Sequence, residues 1–213
     1  MSAQHWLLDS DAAICVCKFE LVQDLVDALG VTLADLCILP QLRYQLQVSK
    51  PDKAMAKLGS KMAVAQASLL IKHAAEVVVR SDSANLALLQ GTPDIDGGEL
   101  ALFAAMLDGG RSGLITGDKR SLVALSKMGG RVRDTVCWAR ILCTEEALAL
   151  LIQHFGHVYI SRKVRARLDA NVGLAIVFGR SAPSSVQSID EGLRSYVLDL
   201  VRNTAGSYIP RHV

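Results

Sequence analysis

TPDIDGGELALFAAMLDGGRSGLITGDKRSL, residues Thr92 to Leu122, is the stretch whose reading decides the fold. It offers a helix headed by an acid, Glu99, rich in Ala and Leu and closed by Gly109 and Gly110. A short apolar run from Gly113 to Thr116 then reads as a buried strand with Asp118 just past its end. A carboxylate without partners is too costly to bury in a packed core, so an acid just beyond a buried strand faces a cleft. The N-terminus repeats the pattern. WLLD, residues 6–9, is an apolar run closing on Asp9, with Ser10 and Asp11 following before helical spacing begins. Two such strands side by side in a parallel sheet deliver Asp9 and Asp118 to one carboxyl edge, where open α/β sheets bind ligands. Glu99 joins them if its helix begins at that edge.

Length and composition fit one α/β domain with a substantial core. The chain has 213 residues, and its 51% hydrophobic content excludes a disordered chain. Aromatic residues make up only 5%, and the abundance of Ala and Leu favours helices. No apolar run reaches the roughly 18 residues that span a bilayer, and the N-terminus lacks the basic-then-apolar order of a signal peptide. A cytoplasmic protein with no membrane partner is therefore expected. The five cysteines, Cys15, Cys17, Cys37, Cys137 and Cys143, are odd in number and read as reduced, buried thiols. Cys15-Val-Cys17 has no second Cys or His pair to complete a zinc tetrahedron, and Gly156 interrupts the spacing of His154 and His157.

Charge is divided along the chain. Residues 1–109 carry 8 Lys/Arg against 13 Asp/Glu, whereas residues 110–170 carry 11 against 5. An acidic segment followed by a basic one suits a protein that holds a cation with one part and a polyanion with the other. Solvated helix faces give the same balance.

Taken in order, strand and helix alternate. Residues 18–29 have helical apolar spacing stopped by Gly30, 36–39 form a second strand closed by Pro40, and 41–47 start another helix. Pro51 to Val79 reads as helical and split at Gly59, and residues 81–90 as a helix capped by Ser81 or Ser83. Asp94 and Asp96 crowd the start of the next helix, whose dipole favours negative charge. After the strand ending at Thr116 come a helix over 119–128, a strand over 136–143, and a helix from Thr144 to His154 headed by Glu145 and Glu146. Residues 161–169, SRKVRARLD, form a basic helix, and 189–201 an amphipathic one that packs on the core or makes a homodimer. The expected division is a catalytic unit over residues 1–150 and a helical C-terminal extension over 151–213 that packs on, or continues, the same domain.

The order of these pieces resembles the PIN domain of metal-dependent ribonucleases. The matching segments are LLDSDAAI (7–14), DGGELALFAAML (96–107) and LITGDKRSLVAL (114–125), and the resemblance covers residues 5 to about 150. It implies a three-layer α/β/α fold with a central parallel sheet, and an acidic cleft holding Mg²⁺ or Mn²⁺. Carried over position by position, Asp9, Glu99 and Asp118 are the metal-binding catalytic carboxylates, while Ser10 and Thr116 orient water or an acid. The chain departs from the family on the helix after the second strand. In CILPQLRYQL (37–46), Gln45 occupies the position of the family's further acid, for which Asp11 or Asp96 would compensate.

Acids suit this chemistry because phosphodiester hydrolysis brings hydroxide against an anionic phosphorus. A hard cation both lowers the pKa of water and neutralises the developing charge, and carboxylates hold such cations. Lys119, Arg120, Arg162, Lys163, Arg165 and Arg167 are the candidate contacts to an RNA backbone, with a surface-lysine role the competing reading for Lys119. The expected activity is endoribonuclease cleavage, as in the toxin of a toxin–antitoxin pair or a defence system, with an antitoxin as protein partner. Two alternatives differ in class. A non-catalytic PIN-like RNA-binding or assembly module accommodates Gln45. A phosphatase resembling the haloacid dehalogenase family would use Asp9 as nucleophile and Asp11 as general acid, but Ala12 and Ala13 depart from its motif.

Overall fold

Asp9 and Asp118 do leave neighbouring parallel strands at one edge of a sheet. A computed structural model describes residues 5–79, 82–109 and 112–213. Its sheet has five strands: β1 (Trp6–Leu8), β2 (Leu36–Ile38), β3 (Ala75–Glu76), β4 (Gly113–Thr116) and β5 (Ile141–Cys143). They are all parallel, in the order β3-β2-β1-β4-β5. Trp6 stands opposite Leu36 on one side and Gly113 on the other.

Side chains alternate between the two faces, as the pleat requires. Trp6, Leu8, Leu36, Ile38, Ile115 and Leu142 enter one apolar cluster. Leu7, Leu114, Ile141 and Cys143 enter the other. Every residue of β1, β4 and β5 is buried, so helices must cover both faces.

Thirteen helices flank the strands among the described residues: α1 (Ser10–Lys18), α2 (Val22–Leu29), α3 (Leu42–Leu46), α4 (Pro51–Leu58), α5 (Lys61–His73), α6 (Ala84–Leu89), α7 (Gly97–Gly109), α8 (Lys119–Lys127), α9 (Arg131–Thr135), α10 (Thr144–Phe155), α11 (His157–Arg165), α12 (Val172–Val177) and α13 (Val186–Asn203). Helices α1, α2, α5, α10, α11 and α12 pack on the first cluster, and α6, α7 and α8 on the second. The architecture is α/β with a central parallel sheet between helical layers, compatible with a three-layer fold.

Several elements differ from the sequence expectation. The helix expected over 18–29 is cut by Glu20, whose φ of 57° is left-handed, and α2 starts only at Val22. The Glu20 carboxylate is engaged by the Ser60 hydroxyl (2.5 Å) and the Lys163 ammonium (3.3 Å), so long-range partners sit at the corner. The span through Val79 is not helical to its end. Helix α5 stops at His73, and Ala75–Glu76 add a two-residue edge strand to β2. Strand β5 occupies only the last three residues of 136–143, because a short 3₁₀ turn over Trp138–Arg140 precedes it. The indole of Trp138 donates to the Arg133 carbonyl (3.1 Å) and holds that turn. The basic helix runs over His157–Arg165, and α12 was not foreseen. Ser83 caps α6, its hydroxyl accepting from Leu86 N (3.2 Å), while Ser81 and Gly110 lie outside the described residues.

The C-terminal extension contributes to both core clusters. On α13, Ile189 and Leu193 enter one cluster while Val197 and Leu200 enter the other. Tyr208 is buried behind β5, where its hydroxyl accepts from Cys143 N (2.9 Å) and donates to the carboxylate of Glu146. The same carboxylate accepts from the Arg211 (2.5 Å) and His212 (3.2 Å) amides, so a fully buried acid fastens the tail. No helix among the described residues is long and apolar enough to cross a membrane.

Gly113 has a steric reason. A Cβ there would lie 2.4 Å from the Trp6 ring, which crosses β4 at that point.

Candidate active site

The strand order reverses between β1 and β4, the topological switch point where open α/β sheets leave a crevice at their carboxyl ends. Asp9 follows β1 directly. Its amide still donates to the Ile115 carbonyl (2.9 Å), which fixes its backbone to β4, and its own carbonyl accepts from Ala13 to start α1. Asp118 follows β4 and caps α8, its Oδ1 accepting from the amides of Arg120 (2.7 Å) and Ser121 (3.2 Å).

Thr116 couples the two acids. Its hydroxyl donates to Asp9 Oδ2 (3.2 Å) and accepts from the Asp118 amide (3.1 Å), while Gly117 N donates to the same Asp9 oxygen (3.4 Å). Thr116 thus bridges the Asp9 carboxylate and the Asp118 backbone. Ser10 is buried beside Asp9, and its hydroxyl has no hydrogen-bond partner. Asp11 is exposed on the first turn of α1.

Glu99 reaches the site through a reciprocal cap. Asp96 Oδ1 accepts from Gly98 N (2.8 Å) and Glu99 N (2.9 Å), and Glu99 Oε2 accepts from Asp96 N (2.8 Å). This is the capping-box geometry with aspartate at its first position, and it holds the Glu99 side chain back over the start of α7. Asp96 thus works as a helix cap. A cavity of about 310 Å³ is lined by Asp94, Ile95, Asp96, Glu99, Asp118 and Arg120. Asp9 is not among its lining residues; it stands behind Asp118, linked through the Thr116 hydroxyl.

Electrostatics follow from this crowding. Burial, together with a hydrogen bond to Asp118 and its charge, pushes the Glu99 carboxyl up to about 7. Asp118 goes the other way. Burial raises it, but the hydrogen bond from Glu99 and the amides at the head of α8 hold it below the usual carboxylate range. Each carboxyl opposes ionisation of the other, and the α8 amides make Asp118 the more readily ionised of the two. Asp9 is raised, mainly by burial, with Gly117 N opposing and the charge of Asp11 adding.

The donor set is all oxygen, which suits Mg²⁺ or Mn²⁺. Among the described residues, no three His, Cys, Asp or Glu side chains converge closely enough to hold an ion by themselves. Mg²⁺ commonly takes one or two protein carboxylates and completes its shell with water and substrate phosphate. Glu99 and Asp118, facing one cavity, fit that requirement.

The expected basic contacts separate into two groups. Arg120 borders the acid cavity, its Nη2 at 3.4 Å from Asp118 Oδ2 and most of its side chain in solvent. Lys119 turns instead to Glu145 Oε1 (2.5 Å) and lies 5.1 Å from the Tyr196 ring centre. Helix α1 starts at the carboxyl edge and ends at the opposite one, so residues meeting its end lie far from the acids. Lys163 is there, on Glu20, and Asp169 is there, on Lys18 (3.5 Å). Arg167 makes a two-bond pair with Asp169 (2.9 and 2.8 Å), Arg165 donates to the Phe178 carbonyl (3.0 Å), and Arg162 lies over the Tyr159 ring. The structure does not bring Arg162, Lys163, Arg165 and Arg167 to the cavity.

Two residues near the site escaped the sequence reading. Glu145, two positions past β5, is 4% exposed, pairs with Lys119 and leaves Oε2 without a partner. The rule that found Asp9 and Asp118 applies to it equally, but its place at the head of a helix suggested a dipole role. Gln41, rather than Gln45, is the α3-side residue next to the α7 start, where its Nε2 would lie 3.4 Å from a Cβ on Gly98. No family model matches the chain, and neither curated proteins nor solved structures give a significant match.

Proposed function

We propose that the protein is a metal-dependent endoribonuclease of PIN-like type that hydrolyses RNA phosphodiester bonds. The observation that carries this reading is the placement of two carboxylates, Glu99 and Asp118, on one cavity at the carboxyl edge of β1 and β4. A divalent ion held by that pair supplies activation of water and neutralisation of charge on the phosphate. The chain's own residues supply the rest. Asp118 is kept ionised and aimed by the α8 amides, which suits a ligand to a cation. Glu99, held over the start of α7 by the Asp96 amide, would be the second carboxylate ligand to that ion, giving up its proton as the ion binds. Thr116 fixes Asp9 relative to Asp118, and the exposed Arg120 reaches a phosphate at the cavity mouth. A toxin or defence role, with an antitoxin that covers the cavity, is the setting we propose for such an enzyme.

The test is incubation of purified protein with RNA and Mg²⁺ or Mn²⁺, beside Asp118→Asn. Asparagine keeps the α8 cap, so the fold should hold while cleavage falls at least about 100-fold. Cleavage that persists unchanged rejects the site.

A second reading has one observation in its favour. With no three metal-ligating side chains converging among the described residues, an RNA-binding PIN-like module without catalysis also fits. RNA binding with steep salt dependence and no metal-dependent cleavage would select it.

A further inference from the structure

Beside the acid cavity lies a larger one of about 760 Å³, within the size range of small-ligand clefts. The two adjoin, with Asp94 and Arg120 lining both. One wall is the face of α8 carrying Arg120, Val123, Ala124 and Lys127; the opposite wall is Asp199, Leu200 and Asn203 of α13. The C-terminal extension thus completes a pocket that residues 1–150 alone would leave open.

The chemistry of this lining is selective. Its floor is apolar, formed by Val123, Ala124 and Leu200. Arg120 and Lys127 stand two turns apart at its rim, and Lys127 has no hydrogen-bond or ion-pair partner among the described residues. Asp199 is occupied, accepting from Arg202 (3.3 Å) and Asn203 (2.9 Å), and Arg120 is paired with Asp118, so the unengaged charges of the lining are Lys127 on α8 and Asp94 at the end shared with the acid cavity.

We propose that this groove is a nucleotide subsite for single-stranded RNA, seating the base next to the scissile phosphate on the apolar floor and its backbone phosphate on Lys127. The proposal rests on the nuclease reading for the position of that phosphate. A duplex hides its base faces and presents phosphates outward, leaving an apolar floor unused; a splayed base uses it. The shared border at Arg120 orders the strand, from the Glu99–Asp118 pair past Arg120 to Lys127.

The experiment separates the two ideas because binding is read without cleavage. Fluorescein-labelled hexauridylate is titrated in EDTA at several salt concentrations against wild type, Asp118→Asn, Lys127→Glu and Val123→Glu. Inorganic polyphosphate serves as a competitor with charge but no base. Lys127 is on the helix surface, so its substitution leaves the fold intact, and circular dichroism checks Val123→Glu. Lys127→Glu should weaken binding about tenfold at low salt and reduce the salt slope by about 1 or more. Val123→Glu should weaken hexauridylate binding more than polyphosphate binding, and Asp118→Asn should bind at least as well as wild type. This pattern in a protein that never cleaves RNA retains the groove and removes the nuclease. Wild-type binding by Lys127→Glu, or no binding of hexauridylate by any form, overturns the groove even if cleavage is observed.

Discussion

Replacing Glu99 by Gln should make the protein more stable above neutrality while removing the proposed cleavage. In the fold this carboxyl titrates at about 7 against an ordinary 4.5, because it is buried and faces Asp118. A carboxyl with a raised folded pKa binds its proton more tightly in the native state than in the unfolded chain. Its favourable contribution is complete below pH 4.5 and is lost as pH climbs to about 7. A rise of that size corresponds to about 3 kcal/mol at 1.36 kcal/mol per unit. Asp118 is shifted down by the same contact, which offsets part of it, and the cavity opens to solvent. A net loss of about 1–2 kcal/mol between pH 5 and pH 8 is the expectation. Glutamine resembles the protonated acid and still offers an oxygen to the Asp96 amide, so the cap survives. Urea denaturation should therefore find Glu99→Gln equal to wild type at pH 5 and about 1–2 kcal/mol more stable at pH 8. Saturating Mg²⁺ should restore wild type at pH 8 and do little for the variant, since a ligand that binds only the folded form stabilises it. If the difference between the two proteins is the same at both pH values, the carboxyl pair is not the source of strain described here.

Two further substitutions test the elements around the site. Tyr208→Phe removes the hydroxyl that joins Glu146 to Cys143 N, leaving a buried carboxylate and a buried amide short of a partner; about 3 kcal/mol should be lost in urea denaturation, and a loss below about 1 would reject the clasp. Lys119→Met strands the buried Glu145 and should cost about 2–3 kcal/mol, less than a fully buried pair because Lys119 is partly exposed. Lys119→Met with Glu145→Leu should recover most of that loss, and no recovery would mean that the pair is not what the lysine contributes.

Much of the site was legible because the signals are local. An apolar run closing on an acid marks a strand end, and that rule placed Asp9 and Asp118 at one edge of neighbouring strands. The D-x-x-E spacing at Asp96 and Glu99 announces a helix start, and α7 begins there. Gly30 and Gly59, both with left-handed φ, end helices where expected. Local signals failed where partners are distant. Glu20 turns left-handed within a helical pattern while Ser60 and Lys163 hold its side chain. Strand β3 is two exposed residues whose only mark is pairing to β2. Basic residues at 119–120 and 162–167 were all read as contacts to an RNA backbone, yet Lys119 turned to Glu145 and Lys163 to Glu20 at the far edge.

From sequence alone came the parallel α/β class, the strand-end acids and the order in which elements deliver them, because hydrophobic period and helix stops are written in neighbouring residues. Only the tertiary structure decided which acid faces Glu99 across a cavity, which cations remain free, and that α13 closes a groove over α8. Those outcomes depend on distances between side chains tens of residues apart, and charge and burial act through space rather than along the chain.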